Sequence, residues 1–201
     1  MPKSKSQFAE IRQRSIATIK ETALELFAER GYHNTSISDI AKKAAISKGL
    51  MYNYFDSKDA LLFSILGDAI HVGEQMFQEA LASSEDAFEQ LKYLTENTIT
   101  WIKANLGYWK LLISLAFQPE AMKMLAPTLR EKEVETMGKA IEIFQRLGVE
   151  RPEAEAMFYG AIMDGIVIQY VQIGEGYPLD MMKDMILERY KKKSESEFTA
   201  F

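Results

Sequence analysis

The sequence predicts an all-α protein: an N-terminal three-helix bundle with a helix-turn-helix, then a larger C-terminal helical domain for ligand binding and dimerisation. Three observations predict this class. Apolar residues recur at spacings of three and four along most of the chain, and no β-alternation runs longer than a few residues. Proline is absent from Lys3 to Gln118, so only turn residues such as Ser83-Ser84 and Asn105-Leu106-Gly107 interrupt that span. Hydrophobic residues make up 47% of the 201 positions, enough for a sizeable core, and no internal repeat is present.

Taken in order, residues 1–9 read as a frayed basic arm, with Lys3 and Lys5 as possible phosphate contacts. A helix from about Glu10 to Arg30 carries the stripe Ile16, Ile19, Ala23, Leu26 and Phe27, and Gly31 ends it. Ser36 opens a second helix, with Asp39 three residues on as the return partner of a capping box. Ile37, Ile40, Ala41 and Ala44 form its buried face, and Ala45-Ile46 makes a tight corner. Ser47 caps a third helix anchored by Leu50, Met51 and Phe55, whose other face shows Lys48, Gly49, Tyr52, Asn53 and Tyr54. Two short helices in this arrangement are a helix-turn-helix whose second member suits a DNA major groove.

Ser57 caps a long helix from Lys58 to about Ala82, with Leu61, Leu62, Ile65, Leu66, Ala69 and Ile70 inward. A helix from about Asp86 to Ala104 follows, then a short apolar one from Tyr108 to Phe117. Pro119 begins a turn, and Pro127 is read as opening a helix to about Leu147, because proline is tolerated in a first turn. Pro152 opens the next, to about Ile173, and Gly174-Glu175-Gly176 stops it. Pro178 precedes a last helix to about Lys192. The count is nine or ten helices, divided between a DNA-binding domain at 1–57 and a body at 58–201.

Residues 1–60 hold ten Lys/Arg against seven Asp/Glu, a charge of +3. The remainder holds fourteen against twenty-two, −8, so an overall charge of −5 still leaves one mildly basic end to offer to phosphate. There is no run of eighteen apolar residues and the first residues have no apolar signal core, so the expectation is a cytoplasmic protein with no membrane partner. The absence of cysteine excludes disulfides, thiolate metal sites and a cysteine nucleophile. His33 and His71 are far apart in sequence, and neither metal nor cofactor is expected.

Ile40-Ala41, Ala44, Ile46-Ser47-Lys48-Gly49, Tyr52-Asn53-Tyr54-Phe55 and Lys58-Asp59-Ala60-Leu61, with the earlier run from Ala23 to Tyr32, resemble the TetR family of bacterial transcriptional regulators. The resemblance implies that the helix after Ser57 joins the DNA-binding bundle to the body. It also implies that the body holds a small-molecule pocket, and that the protein is most often a repressor. One departure stands out: the family usually has Gly where Ala45 stands. Ala at a left-handed turn position costs about 1 kcal/mol, which a slightly altered turn would avoid.

Three candidate sites follow. On the DNA face, Lys48 and Asn53 are the side chains best placed to read base edges, as Arg or Lys pairs with guanine and Asn with adenine. Ser38 can reach in as well, Leu50 can touch a thymine methyl, and Gly49 admits a close backbone approach. Ser36, Ser47 and Lys58 are read as phosphate contacts, and the resemblance adds the hydroxyls of Tyr52 and Tyr54. In the body, Trp101, Trp109, Phe117, Met137, Tyr159 and Met163 are either ordinary core or the lining of a pocket for an apolar ligand. Asp164, an acid between apolar neighbours, either binds a ligand donor, pairs with a basic group, or faces out at a helix seam.

The third site is a dimer face, with Gly160, Gly165, Ile168 and Gln172 on one helix and Met181 and Met185 on the last, forming a four-helix seam between two chains. The function expected is a ligand-responsive DNA-binding regulator, a homodimeric repressor released from a palindromic double-stranded operator by a small, largely apolar effector. The alternative is an all-α enzyme or carrier for an apolar compound. No Ser/His/Asp or His-rich constellation supports catalysis, so no enzymatic activity is expected.

Overall fold

The structure, a computed structural model, describes residues 5–196; residues 1–4, which include Lys3, lie outside them. Nine α-helices succeed one another among the described residues, with a single 3-10 turn at Gly174–Gly176 and no strand. They are α1 Lys5–Arg30, α2 Ile37–Lys43, α3 Lys48–Tyr52, α4 Lys58–Ser83, α5 Ala87–Ala104, α6 Leu106–Ala116, α7 Pro119–Arg146, α8 Pro152–Ile173 and α9 Leu179–Ser196.

The short helices form where their ends are satisfied. The Ser36 hydroxyl accepts from Asp39 N–H at 3.1 Å while the Asp39 carboxylate accepts from Ser36 N–H at 3.0 Å, the reciprocal capping box. Hydrogen bonding to the Ser36 hydroxyl, then to its N–H, holds the Asp39 carboxyl below its ordinary range. Ser47, Ser57 and Asp86 cap α3, α4 and α5 by accepting from the backbone N–H groups of Leu50, Ala60 and Glu89.

At the end of α2, Ile46 N–H bonds Ala41 C=O at 3.0 Å and Ala45 N–H bonds Lys42 C=O at 3.3 Å. That is a Schellman closure, and it puts Ala45 at φ +56°. The turn is therefore unaltered, and Ala45 carries the left-handed strain that a modified corner would have avoided.

Several boundaries differ from the sequence reading. Helix α1 begins at Lys5, so most of the expected arm is helical. Helix α6 begins at Leu106, because Asn105 ends α5 and opens α6 at a single kinked residue (φ −126°, ψ 42°). Helix α7 begins at Pro119, which takes the first-turn role, and Pro127 sits inside the helix rather than opening it. Pro127 is exposed, and its missing N–H leaves the Lys123 C=O without its usual helical donor.

Two hydrophobic cores result. The first gathers Ile19, Ala23, Leu26 and Phe27 of α1, Ile37 and Ile40 of α2, Met51 of α3, and Leu61, Leu62, Ile65 and Leu66 of α4. It also takes Tyr108, Leu111 and Leu115 from α6. The second joins α5, α7, α8 and α9 through residues such as Leu91, Ile102, Phe144, Tyr159, Ile166 and Tyr190. Trp109 packs against both.

The segment Pro152–Gly176 is long and apolar enough to cross a membrane by length and composition. In this fold its inner side, including Ala156, Tyr159, Met163 and Ile166, fills the second core.

Candidate nucleic-acid interface and effector cavity

The outer face of the helix-turn-helix is built as its pattern predicts. Lys48, Gly49, Tyr52 and Asn53 are exposed, Ser38 is exposed on α2, and Met51 on the opposite side is fully buried. Leu50 is half-buried, so it serves partly as anchor. A Cβ at Gly49 would meet nothing within 4 Å in this protomer, which leaves the first turn of α3 open to an approaching surface. The Ser47 hydroxyl accepts from Leu50 N–H at 3.0 Å and keeps its own proton for another acceptor.

Two expected phosphate contacts are engaged internally. The Ser36 hydroxyl donates to the Asp39 carboxylate while accepting from Asp39 N–H, so its proton is committed. The Lys58 ammonium donates to the carbonyls of Tyr32 at 2.8 Å and Thr35 at 2.9 Å and lies 4.3 Å from the Tyr32 ring centroid. Desolvation lowers the Lys58 pKa, opposed by the neighbouring Asp59 carboxylate. The Tyr32 hydroxyl donates to Asp59, and burial first, then that bond, raise its pKa. Thr35, buried, donates to Leu26 C=O or Gly31 C=O. Lys58, Tyr32 and Thr35 thus fasten the start of α4 to the α1–α2 connection.

In the body, a cavity of about 360 Å³ opens between α4, α5, α7 and α8. Met137, Tyr159, Met163 and Asp164 are among the residues that line it. Asp164 is solvent-exposed and engaged in an interaction of its own. The Tyr159 hydroxyl bonds the Thr95 hydroxyl at 3.0 Å, and burial pushes its pKa up to about 12. Phe77 completes the lining from α4, outside the 101–170 stretch where the aromatics and methionines cluster, together with Leu94, Thr98, Thr136, Ala140 and Ala156, small or aliphatic residues that a search for aromatics and methionine passes over.

Three expected lining residues lie elsewhere. Trp101 and Trp109 meet edge-to-face at 5.2 Å and join Tyr108 in an aromatic cluster between the two cores. Phe117 is 80% exposed beyond the end of α6. A groove of about 650 Å³ between the start of α5 and the end of α9 mixes the charged side chains of Asp86, Glu89, Lys92, Asp184, Glu188 and Lys191 with the apolar Phe88 and Leu187.

The expected seam residues are accessible along α8 and α9. Ile168, Met181 and Met185 are 37%, 54% and 56% exposed, and Gln172 is exposed too. Met157, Phe158 and Ile173 extend this apolar surface. Gly165 is half-buried with open space at its Cα, whereas Gly160 lines the cavity.

An all-α chain with a capped helix-turn-helix at one end and a cavity-bearing helical body defines a class: helix-turn-helix proteins with a separate sensor-like body. The chain matches the model of "Bacterial regulatory proteins, tetR family" over residues 19–65. It is 60% identical over 48 residues to an uncharacterised HTH-type transcriptional regulator, YuxN of Bacillus subtilis, covering 24% of this chain and 16% of that protein. It is 25% identical over 171 residues to the fatty acid metabolism regulator protein of the same organism, covering 84% of this chain and 75% of the relative. The fold is shared with the fatty acid degradation regulator FadR of Bacillus halodurans at a TM-score of 0.74 and 19% identity, over 94% of this chain and 96% of that one.

Proposed function

We propose that the chain is a cytoplasmic, homodimeric, DNA-binding transcriptional regulator, a repressor released from a palindromic operator by a small, largely apolar effector. The observation that carries this reading is the exposed face of α3: Lys48, Gly49, Tyr52 and Asn53 face solvent over a dry anchor, Met51. Lys48 and Asn53 read base edges in the major groove, while Ser47 and Tyr54 hold the backbone. The cavity between α4, α5, α7 and α8 is the effector site. Its titratable lining is Asp164 and a Tyr159 whose raised pKa keeps the phenol protonated, which supports binding over catalysis.

Exposed apolar residues on α8 and α9 support pairing of two chains. A dimer must present its recognition helices about 34–36 Å apart, or a multiple, to meet successive major-groove turns. An effector that wedges α7 from α4 tilts α4 and spoils that spacing. The test is selection of purified protein on a random duplex library. Enrichment of an inverted repeat supports the reading; binding with no enriched repeat sinks it.

A further inference from the structure

Most cations near the helix-turn-helix already have partners. Arg14 pairs with Glu10 at 2.7 Å, Lys43 with Glu25 at 3.0 Å, Lys20 with Asp68 at 2.7 Å, and Lys58 with two carbonyls. Arg30 and Lys42 act on the Asp39 carboxylate. Arg12 differs: among the described residues it is exposed, has no carboxylate partner, and its guanidinium carbon lies 5.1 Å from the ring centroid of Tyr54. Tyr54 follows Asn53, the C-cap of α3; its N–H is bonded to Met51 C=O at 3.1 Å, and its ring packs against the first core. Arg12 therefore sits on a fixed platform at the exit of the recognition helix, while Lys48 stands at its entry.

We propose that Arg12 is a DNA-phosphate-binding residue, and that Tyr54 is its positioning residue; this rests on the DNA-binding reading above. A guanidinium over an aromatic face satisfies its charge partly against the ring and keeps its N–H donors for a second partner. An arginine so held loses less side-chain freedom on meeting a phosphate than one free in solvent. A helix in a major groove about 12 Å wide has sugar-phosphate backbone on both sides, so cations at both ends of α3 have phosphates to meet. The first turns of α1 then belong to the interface and not only to the bundle.

The experiment measures binding of the full chain to a labelled mixed-sequence 30-base-pair duplex by anisotropy, across a series of monovalent salt concentrations. Arg12→Gln is expected to lower the log–log salt slope by about 0.9 per bound protomer, and to weaken binding about eightfold per protomer at 0.1 M salt. Arg14→Gln, which removes the same charge from a paired side chain two residues away, is expected to change the slope by less than half as much.

Tyr54→Phe keeps the ring and is expected to preserve the Arg12→Gln effect; in a Tyr54→Leu background that effect is expected to shrink. A wild-type slope for Arg12→Gln, or equal losses for Arg12→Gln and Arg14→Gln, overturns the assignment while leaving DNA binding intact. An undiminished effect in the Tyr54→Leu background overturns the role of Tyr54. Failure of the wild type to bind the duplex overturns both this inference and the functional reading beneath it. Circular dichroism of each variant checks folding, which an exposed Arg12 should not govern.

Discussion

Ala45→Gly tests the corner of the helix-turn-helix. Ala45 holds φ +56° in a Schellman closure and is exposed, so removing its methyl group sacrifices little packing. The left-handed conformation costs a non-glycine residue about 1–2 kcal/mol. Glycine relieves that strain but gives the unfolded chain more freedom, which returns about 0.4–1 kcal/mol. The net expectation is stabilisation by about 0.5–1 kcal/mol, or roughly 1–4 °C in Tm for a chain of this size. Ala45→Val should move the other way by more than about 1 kcal/mol, since a β-branched side chain tolerates positive φ poorly. Urea titration followed by far-UV circular dichroism, with the slope m compared between variants, measures both. A glycine variant no more stable than wild type at equal m would refute the strain argument.

Three further outcomes are expected. Lys58→Met should cost about 1–3 kcal/mol of stability by leaving two carbonyls without their charged donor, yet leave the salt slope of duplex binding unchanged; a slope lower by about 0.9 per protomer would return Lys58 to the phosphate contacts. The double change Ile168→Glu with Met185→Glu alters residues exposed in the protomer, so folding should survive while sedimentation shows loss of the dimer, buried unpaired charge costing several kcal/mol at the seam; an unchanged dimer would place the seam elsewhere. Asp39 has a folded pKa below its ordinary 3.8, so the stability it adds over Asp39→Asn is present above that value and vanishes as pH falls through the lowered one. Melting curves of the two proteins should converge in acid; a gap that persists at low pH would mean the capping carboxylate is not its source.

The helix-turn-helix was legible because its signals are local. Caps three residues from their partners and an apolar stripe at helical spacing need no knowledge of the rest of the chain. The body was legible in class but not in detail. Pro119 and Pro127 are equally good first-turn prolines, and only the surrounding packing selects the earlier one. Trp101 and Trp109 look like cavity lining in sequence because large aromatic side chains suit either a pocket or a core. The fold uses them where two cores meet. In sequence Lys58 looks like a phosphate contact, because its carbonyl partners lie 23 and 26 residues upstream, beyond any local pattern. Arg12 left no mark in periodicity, since its platform is 42 residues away.

The position of α6 has a consequence for anyone treating this protein as interchangeable parts. Tyr108, Leu111 and Leu115 complete the core of the DNA-binding bundle, while Leu106, Trp109 and Ile113 of the same helix serve the body. A graft cut at residue 57 would therefore carry the bundle away without one of its walls. Transplanting the bundle onto a different body calls for a recipient helix recut to the α6 pattern, with Leu111 and Leu115 as the side chains to copy first, both being almost wholly buried.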